Sequence, residues 1–220
     1  MADARTTPPL ASPERSTEAP TGGNPPTSAR RARKPPRKVS PSSLENAALF
    51  YLGRFSAPSG HLRRVLLRRV ERSLKVHGGD AATARGWVDD LIERFRRSGL
   101  VDDAAYAAGK ARSLRRRGTS QAMIGRALRA KGLSAEQAAA ALNGMTTDTG
   151  QDSTESELAA AARLTQRKRL GPYRPAAARA EQRQRDMASL ARAGFAYDTA
   201  RRVIDAEDIA VIEAWARGVG

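Results

Sequence analysis

Few side chains in this sequence are equipped for bond chemistry. His61 and His77 are the only imidazoles and there is no cysteine, which excludes a disulfide framework and a Cys/His zinc site. The adjacent carboxylates Asp89-Asp90 and Asp102-Asp103 have a spacing that a metal ion or an acid–base pair would use. Both pairs are expected near helix starts, where acids favour the helix dipole. His61 begins a basic helix and His77 precedes a glycine pair, so both read as surface or capping residues. No GxxxxGK[ST] phosphate loop, GxGxxG fingerprint or GxSxG elbow occurs, and no histidine is placed with a carboxylate and a nucleophile. The expectation is a protein that is not an enzyme and takes no cofactor.

Cations are what remain. Lys and Arg total 39 against 23 Asp and Glu, a formal net charge of +16, which draws a chain towards DNA, RNA, an anionic membrane or an acidic protein surface. The candidate contact residues are Arg64, Arg68 and Arg72; Lys110, Arg112, Arg115 and Arg116; Arg126, Arg129 and Lys131; and Arg163, Arg167, Lys168 and Arg169. Part of the cluster ending at Arg117 has a structural rationale, because cations complement a helix C-terminus. Tyr51, Tyr106 and Tyr173 have faces on which bases stack, yet Tyr51 and Tyr106 occupy apolar helix positions that suit a core.

The elements that carry these cations read as helices throughout. Aromatics are only 5% of residues, which suits helices packed through small side chains and suits a large sheet poorly. LENAALFYLGRF is expected to follow Ser42 or Ser43 as N-cap. In HLRRVLLRRVERSLKVHGG, Leu62, Val65, Leu66, Val70 and Leu74 recur at spacings of three and four, opposite Arg64, Arg68 and Arg72. ARGWVDDLIERFRRSG turns Trp87, Leu91, Ile92 and Phe95 inward. DAAYAAGKARSLRRRG starts at Asp102 or Asp103 and is expected to turn Tyr106, Gly109 and Leu114 inward. TSQAMIGRALRAKG follows, then SAEQAAAALNG, whose Ser134 and Gln137 have capping-box spacing. MTTDTGQDSTES reads as a polar connector, and ESELAAAARLTQRKRLG, PAAARAEQRQRDMASLARAG and YDTARRVIDAED as three more helices. For IAVIEAWARGVG, a continuation of the last helix and a separate element are both open.

A repeat underlies these segments. RAKGLSAEQAAAAL returns 62 positions on as ARAGFAYDTARRVI: Leu128 falls on Leu190, Gly132 on Gly194, Leu133 on Phe195, Ala138 on Ala200 and Leu142 on Ile204. Gly118 matches Gly171 at an offset of 53, so the later copy carries nine extra residues around PAAARAEQ. AALFYLGRF over AAYAAGKAR supplies a third copy. Units of about fifty residues have marginal cores alone, so they are expected to pack on their neighbours.

GLVDDAAYAAGKARSLRRRG followed by IGRALRAKGLSAEQAAAAL resembles the RecX family of bacterial regulatory proteins, over about residues 46 to 208. Met123 and Ala127 depart from the basic residue and the Glu that the family often has there. The resemblance implies tandem three-helix repeats that lie along the groove of the RecA recombinase filament on DNA. It also implies inhibition of RecA's ATPase, strand-exchange and co-protease activities, in DNA repair and the SOS response.

The resulting expectation is an all-α fold of tandem three-helix repeats in an elongated helical array. A disordered Pro/Arg-rich arm is expected over 1–43, which holds nine of the twelve prolines. Repeats are expected over 44–100, 101–145 and 155–208, with a linker over 146–154 and a C-terminal segment over 209–220. The expected partners are the RecA filament and DNA, for a cytoplasmic monomer that does not engage membranes, since no apolar run approaches a membrane span. The alternative is a DNA-binding protein using RALRAKGLSAEQAAAAL as a helix-turn-helix; a scaffold whose charge only confers solubility is a third possibility.

Overall fold

The computed structural model describes residues 36–149 and 152–218, and among these there are ten α-helices and no strand. The residues expected to form the arm, 1–35, lie outside the described part. The helical body starts earlier than residue 44. Ser40, rather than Ser42 or Ser43, caps α1 (Pro41–Leu52). Pro41 sits at the first helical position, where its missing N–H is no loss. Ser43 supplies the other half of a capping box, its Oγ accepting from the Ser40 amide at 2.8 Å. Residues 36–40 have no regular secondary structure, with Ser40 extended and Val39 buried.

The first unit is α1, α2 (Ser59–His77) and α3 (Ala81–Arg97). Leu44 and Ala48, Leu62, Leu66 and Val70, and Val88, Leu91, Ile92 and Phe95 form its core, with Trp87 half-buried beside them. The second unit is α4 (Asp103–Arg116), α5 (Gln121–Ala130) and α6 (Ala135–Thr149), around Ala107, Ala111, Ile124, Leu128, Leu133, Ala138 and Met145. The third is α7 (Ser153–Lys168), α8 (Ala176–Arg192) and α9 (Tyr197–Ile204), around Leu158, Leu164, Leu190, Phe195, Ala200 and Val203. Each fully buried aliphatic side chain stabilises its unit by about 1.5–3 kcal/mol.

The repeat inferred from sequence is also a repeat of burial. Leu128 and Leu190 are both 0% exposed, Ala138 and Ala200 both 1%, and Leu133 and Phe195 both 5%. Between each pair the chain turns at a glycine in the left-handed region, Gly132 at φ +93° and Gly194 at φ +84°. The next amide then reaches back five residues, Leu133 N to Leu128 O and Phe195 N to Leu190 O.

Two local expectations change, and two points the sequence left open take a definite form. Gly109 is exposed, because the inward line of α4 runs through Ala107 and Ala111, and residue 109 lies on the far side of that line. The expected connector after Met145 is helical as far as Thr149: the Ser134–Gln137 capping box starts α6 firmly, and buried Met145 carries it onward. The extra residues of the third unit form a 3₁₀ turn (Gly171–Tyr173) and lengthen α8 to 17 residues, against 10 in α5. The last segment is a separate helix, α10 (Ile209–Arg217), which packs on α7 through fully buried Ile212.

Candidate functional site

The cations are positioned by two junctions built to one plan. At the first, the Asp103 carboxylate at the start of α4 accepts from the Ser59 amide at 2.7 Å and the Ser59 hydroxyl at 2.6 Å, completing the first turn of α2. At the second, the Glu157 carboxylate in α7 accepts from the Gln121 amide at 3.2 Å, completing the first turn of α5. A helix begins with amides that have no partner of their own, so in both cases the following unit finishes the preceding unit's middle helix.

Glycine turns make the rest of each junction. Gly132 lies against Gly60 so closely that a Cβ on Gly60 would stand 2.4 Å from the Gly132 carbonyl oxygen. Gly194 lies against the start of α5, where a Cβ would stand 2.7 Å from Ser120 Oγ. That hydroxyl donates to the Ala193 carbonyl at 2.6 Å. Arg64 Nη2 likewise donates to the Ala130 carbonyl at 2.8 Å.

The first junction gathers three of the candidate cations. Arg64, Arg68 and Lys131, from two units, all bear on His61, whose Nε2 is 3.0 Å from the Tyr51 hydroxyl. Burial first, and then the positive charge of Lys131, Arg64 and Arg68, hold this imidazole below its ordinary range, so it is neutral at pH 7. His61 is therefore a half-buried packing residue in a cationic setting.

The other candidates divide. Arg115 faces inward: it is 8% exposed, and its Nη1 donates to Glu157 at 2.6 Å within the second junction. Arg163 is half-buried, with Nε on the Ala216 carbonyl at 2.9 Å, and Arg167 donates to the Arg117 carbonyl. Lys168 donates to Ser189 Oγ at 3.1 Å, and the Arg169 guanidinium stands 5.8 Å from the centre of the Tyr173 ring. Lys110 is half-buried and Arg112 borders a small cleft between α4 and α6. Arg72, Arg116, Arg126 and Arg129 are exposed. Arg126 and Arg129, three apart on α5, share one helix face.

The carboxylate pairs separate. Asp89 lies within α3, away from its start, and pairs with Arg63 at 2.6 Å. Asp102 caps α4 while Asp103 is committed to the first junction. No group of three or more His, Cys, Asp or Glu side chains that would hold a metal is found among the described residues.

One cationic feature lies mostly outside the expected set. Arg37, Lys38 and Arg69, none of them expected, join Arg72 in lining a cleft whose wall includes Phe50 and Tyr51. Its signal in the sequence was divided between a Pro/Arg-rich run and a basic helix, which nothing local joins.

The architecture is that of a basic, all-helical protein of three stacked three-helix units. Residues 102–142 match the model of RecX, second three-helix domain. The chain is 46% identical over 185 residues to Regulatory protein RecX of Myxococcus xanthus (strain DK1622), spanning 83% of this chain and 95% of that one. It is 26% identical over 173 residues to Regulatory protein RecX of Agrobacterium fabrum (strain C58), spanning 76% and 88%. The chain belongs to the RecX family of regulatory proteins. A solved structure, the crystal structure of regulatory protein RecX, shares the fold at a TM-score of 0.53 and 20% identity, over 75% of this chain and 71% of that one. No helix among the described residues is long and apolar enough to cross a membrane.

Proposed function

We propose that this chain is a non-catalytic modulator, chiefly an inhibitor, of the RecA filament on DNA, acting in the cytoplasm during DNA repair and the SOS response. The observation that carries this reading is its 46% identity to a protein named as a RecX regulator, across 95% of that protein's length. The physical mode is occupancy. A basic array seated across successive protomers restrains their movement and obstructs a second DNA, and several weak contacts on one chain add through effective concentration.

The contacts proposed are the exposed cations Arg64 and Arg68 of α2 at the first junction and Arg126 and Arg129 of α5 beyond it, with half-buried Lys131 just after α5. Arg115 is left out, since its charge is spent on Glu157. A helix-turn-helix that reads bases through α6 is disfavoured: its exposed early positions, Ala135, Glu136, Ala139 and Ala140, include no base-reading donor.

The test is titration of the full chain into a RecA ATPase assay on single-stranded DNA at near-physiological salt, beside Arg126→Glu/Arg129→Glu. Inhibition well below one chain per RecA protomer, weakened in the variant, is the expected result. Unchanged turnover in the presence of saturating protein would overturn the proposal.

A further inference from the structure

Residues 36–39 are not a loose end of the chain. The Val39 amide donates to Ser73 Oγ at 3.0 Å, a hydroxyl that is itself buried in α2, and Val39 joins the first core. One turn further along α2, His77 Nε2 donates to the Pro36 carbonyl at 2.7 Å. Arg37 and Lys38 lie between these two anchors and are thereby held beside α2.

The cleft they border has a volume of about 490 Å³, within the range of small-ligand sites. Its wall holds four cations, Arg37, Lys38, Arg69 and Arg72, with Ser43 and Asn46 and the aromatic rings of Phe50 and Tyr51, and no Asp or Glu. Arg69 Nε is buried there without a hydrogen-bond partner among the described residues. A buried charged donor left unsatisfied costs stability unless something accepts from it. Phe50 is 68% exposed, and the Arg54 guanidinium stands 4.8 Å from its ring centre.

Arg72 Nε donates to the Arg68 carbonyl at 3.2 Å, but among the described residues none of the four cations has a carboxylate partner. Such a cluster indicates an anion, and an exposed ring beside it indicates a flat π-surface attached to that anion. We infer that this cleft is a binding site for one nucleotide unit of single-stranded nucleic acid, with a phosphate on Arg69, Arg72 and the Arg37-Lys38 pair and its base stacked on Phe50. A duplex is excluded as occupant because its bases are already stacked on each other, while every unpaired base has a free face for an aromatic ring. The site rests on the reading that the chain works on DNA, and adds a contact separate from the junction cations. It also gives the last residues of the Pro/Arg-rich run a fixed place on the folded body.

The experiment measures binding of the full chain, without RecA, to fluorescent oligo(dT) and to a duplex of equal length across a salt series. Phe50→Ala changes an exposed ring, so the fold is retained. It is expected to weaken oligo(dT) binding by about tenfold or more while leaving the duplex unaffected. Arg69→Gln is expected to lower the single-strand salt slope by about 0.7, the contribution of one phosphate contact, and Arg69→Lys to restore it. Equal affinity of wild-type and Phe50→Ala for oligo(dT) would overturn the site. So would displacement by free ATP as effective, per nucleotide, as displacement by unlabelled oligo(dT), since the occupant would then be a free nucleotide. No RecA is present, so failure here is distinguishable from failure of the filament reading, which the ATPase titration decides.

Discussion

Glu157 is the residue whose removal should tell most about how the units are joined. Its carboxylate takes the Arg115 guanidinium at 2.6 Å and the Gln121 amide at 3.2 Å, and the two ionic side chains retain only 10% and 16% of their exposure. Breaking a buried pair by deleting one partner costs about 3–5 kcal/mol, and the residual solvent here argues for the low end, about 3. Loss of the acceptor for the Gln121 amide, with Ser120 still capping α5, adds about 1 kcal/mol. Glu157→Ala should therefore destabilise by about 4 kcal/mol, a large share of the 5–15 kcal/mol by which domains are stable. Glu157→Gln keeps an acceptor for the Gln121 amide and should lose about 3 kcal/mol. Urea denaturation followed by tryptophan fluorescence measures this, with Trp87 reporting on the first unit and Trp215 on the third. In an Arg115→Gln background the cost of Glu157→Gln should fall below about 1 kcal/mol, because no buried charge is then stranded. Additive costs in the double variant, or a Glu157→Ala loss under about 1 kcal/mol, would refute the argument that one carboxylate fastens the second and third units.

Two further outcomes follow from the same geometry. Gly60→Ala would push a Cβ to 2.4 Å from the Gly132 carbonyl, a backbone atom with no rotamer to yield. A loss of about 1–3 kcal/mol in urea denaturation is expected, with Gly86→Ala, inside α3 and meeting nothing within 4 Å, as a control that should instead gain about 0.5–1 kcal/mol. Asp186 sets an acid limit: burial pushes its carboxyl up, but hydrogen bonds from Arg174 and the Gly171 amide and the Arg174 charge outweigh this and leave it below its usual value. A carboxylate depressed in the fold contributes stability that is present above its unfolded pKa, near 3.9, and lost as pH falls through the lower folded value. The Trp215 transition should weaken below about pH 4, and Asp186→Asn should flatten that part of the pH profile.

The helices, their order and the core residues were legible because each unit buries a stripe at helical spacing and turns at a glycine. Leu128, Gly132 and Leu133 announce this as plainly as Leu190, Gly194 and Phe195. What the sequence does not display is which charges are already used. Arg115 and Arg116 are neighbours in one basic run, yet one is sealed against Glu157, 42 residues away, and the other is exposed. Periodicity within a helix indicates its inward face but not that a neighbouring unit will cover an outer one. For the same reason Asp103 reads as one half of an acidic pair until Ser59, 44 residues earlier, is placed beside it. The cleft of Arg37, Lys38 and Arg69 needed two such distant placements at once.

The carboxylates that close each junction also govern when a newly made chain can settle. Asp103 emerges from the ribosome 44 residues after Ser59, and Glu157 emerges 36 residues after Gln121. At about 5–20 residues per second, the middle helices of the first and second units wait roughly 2–9 s for the group that completes their first turn. These two units thus mature one unit late, and a chain cut cleanly after its first three helices would keep permanently the unfinished end that synthesis exposes only for seconds.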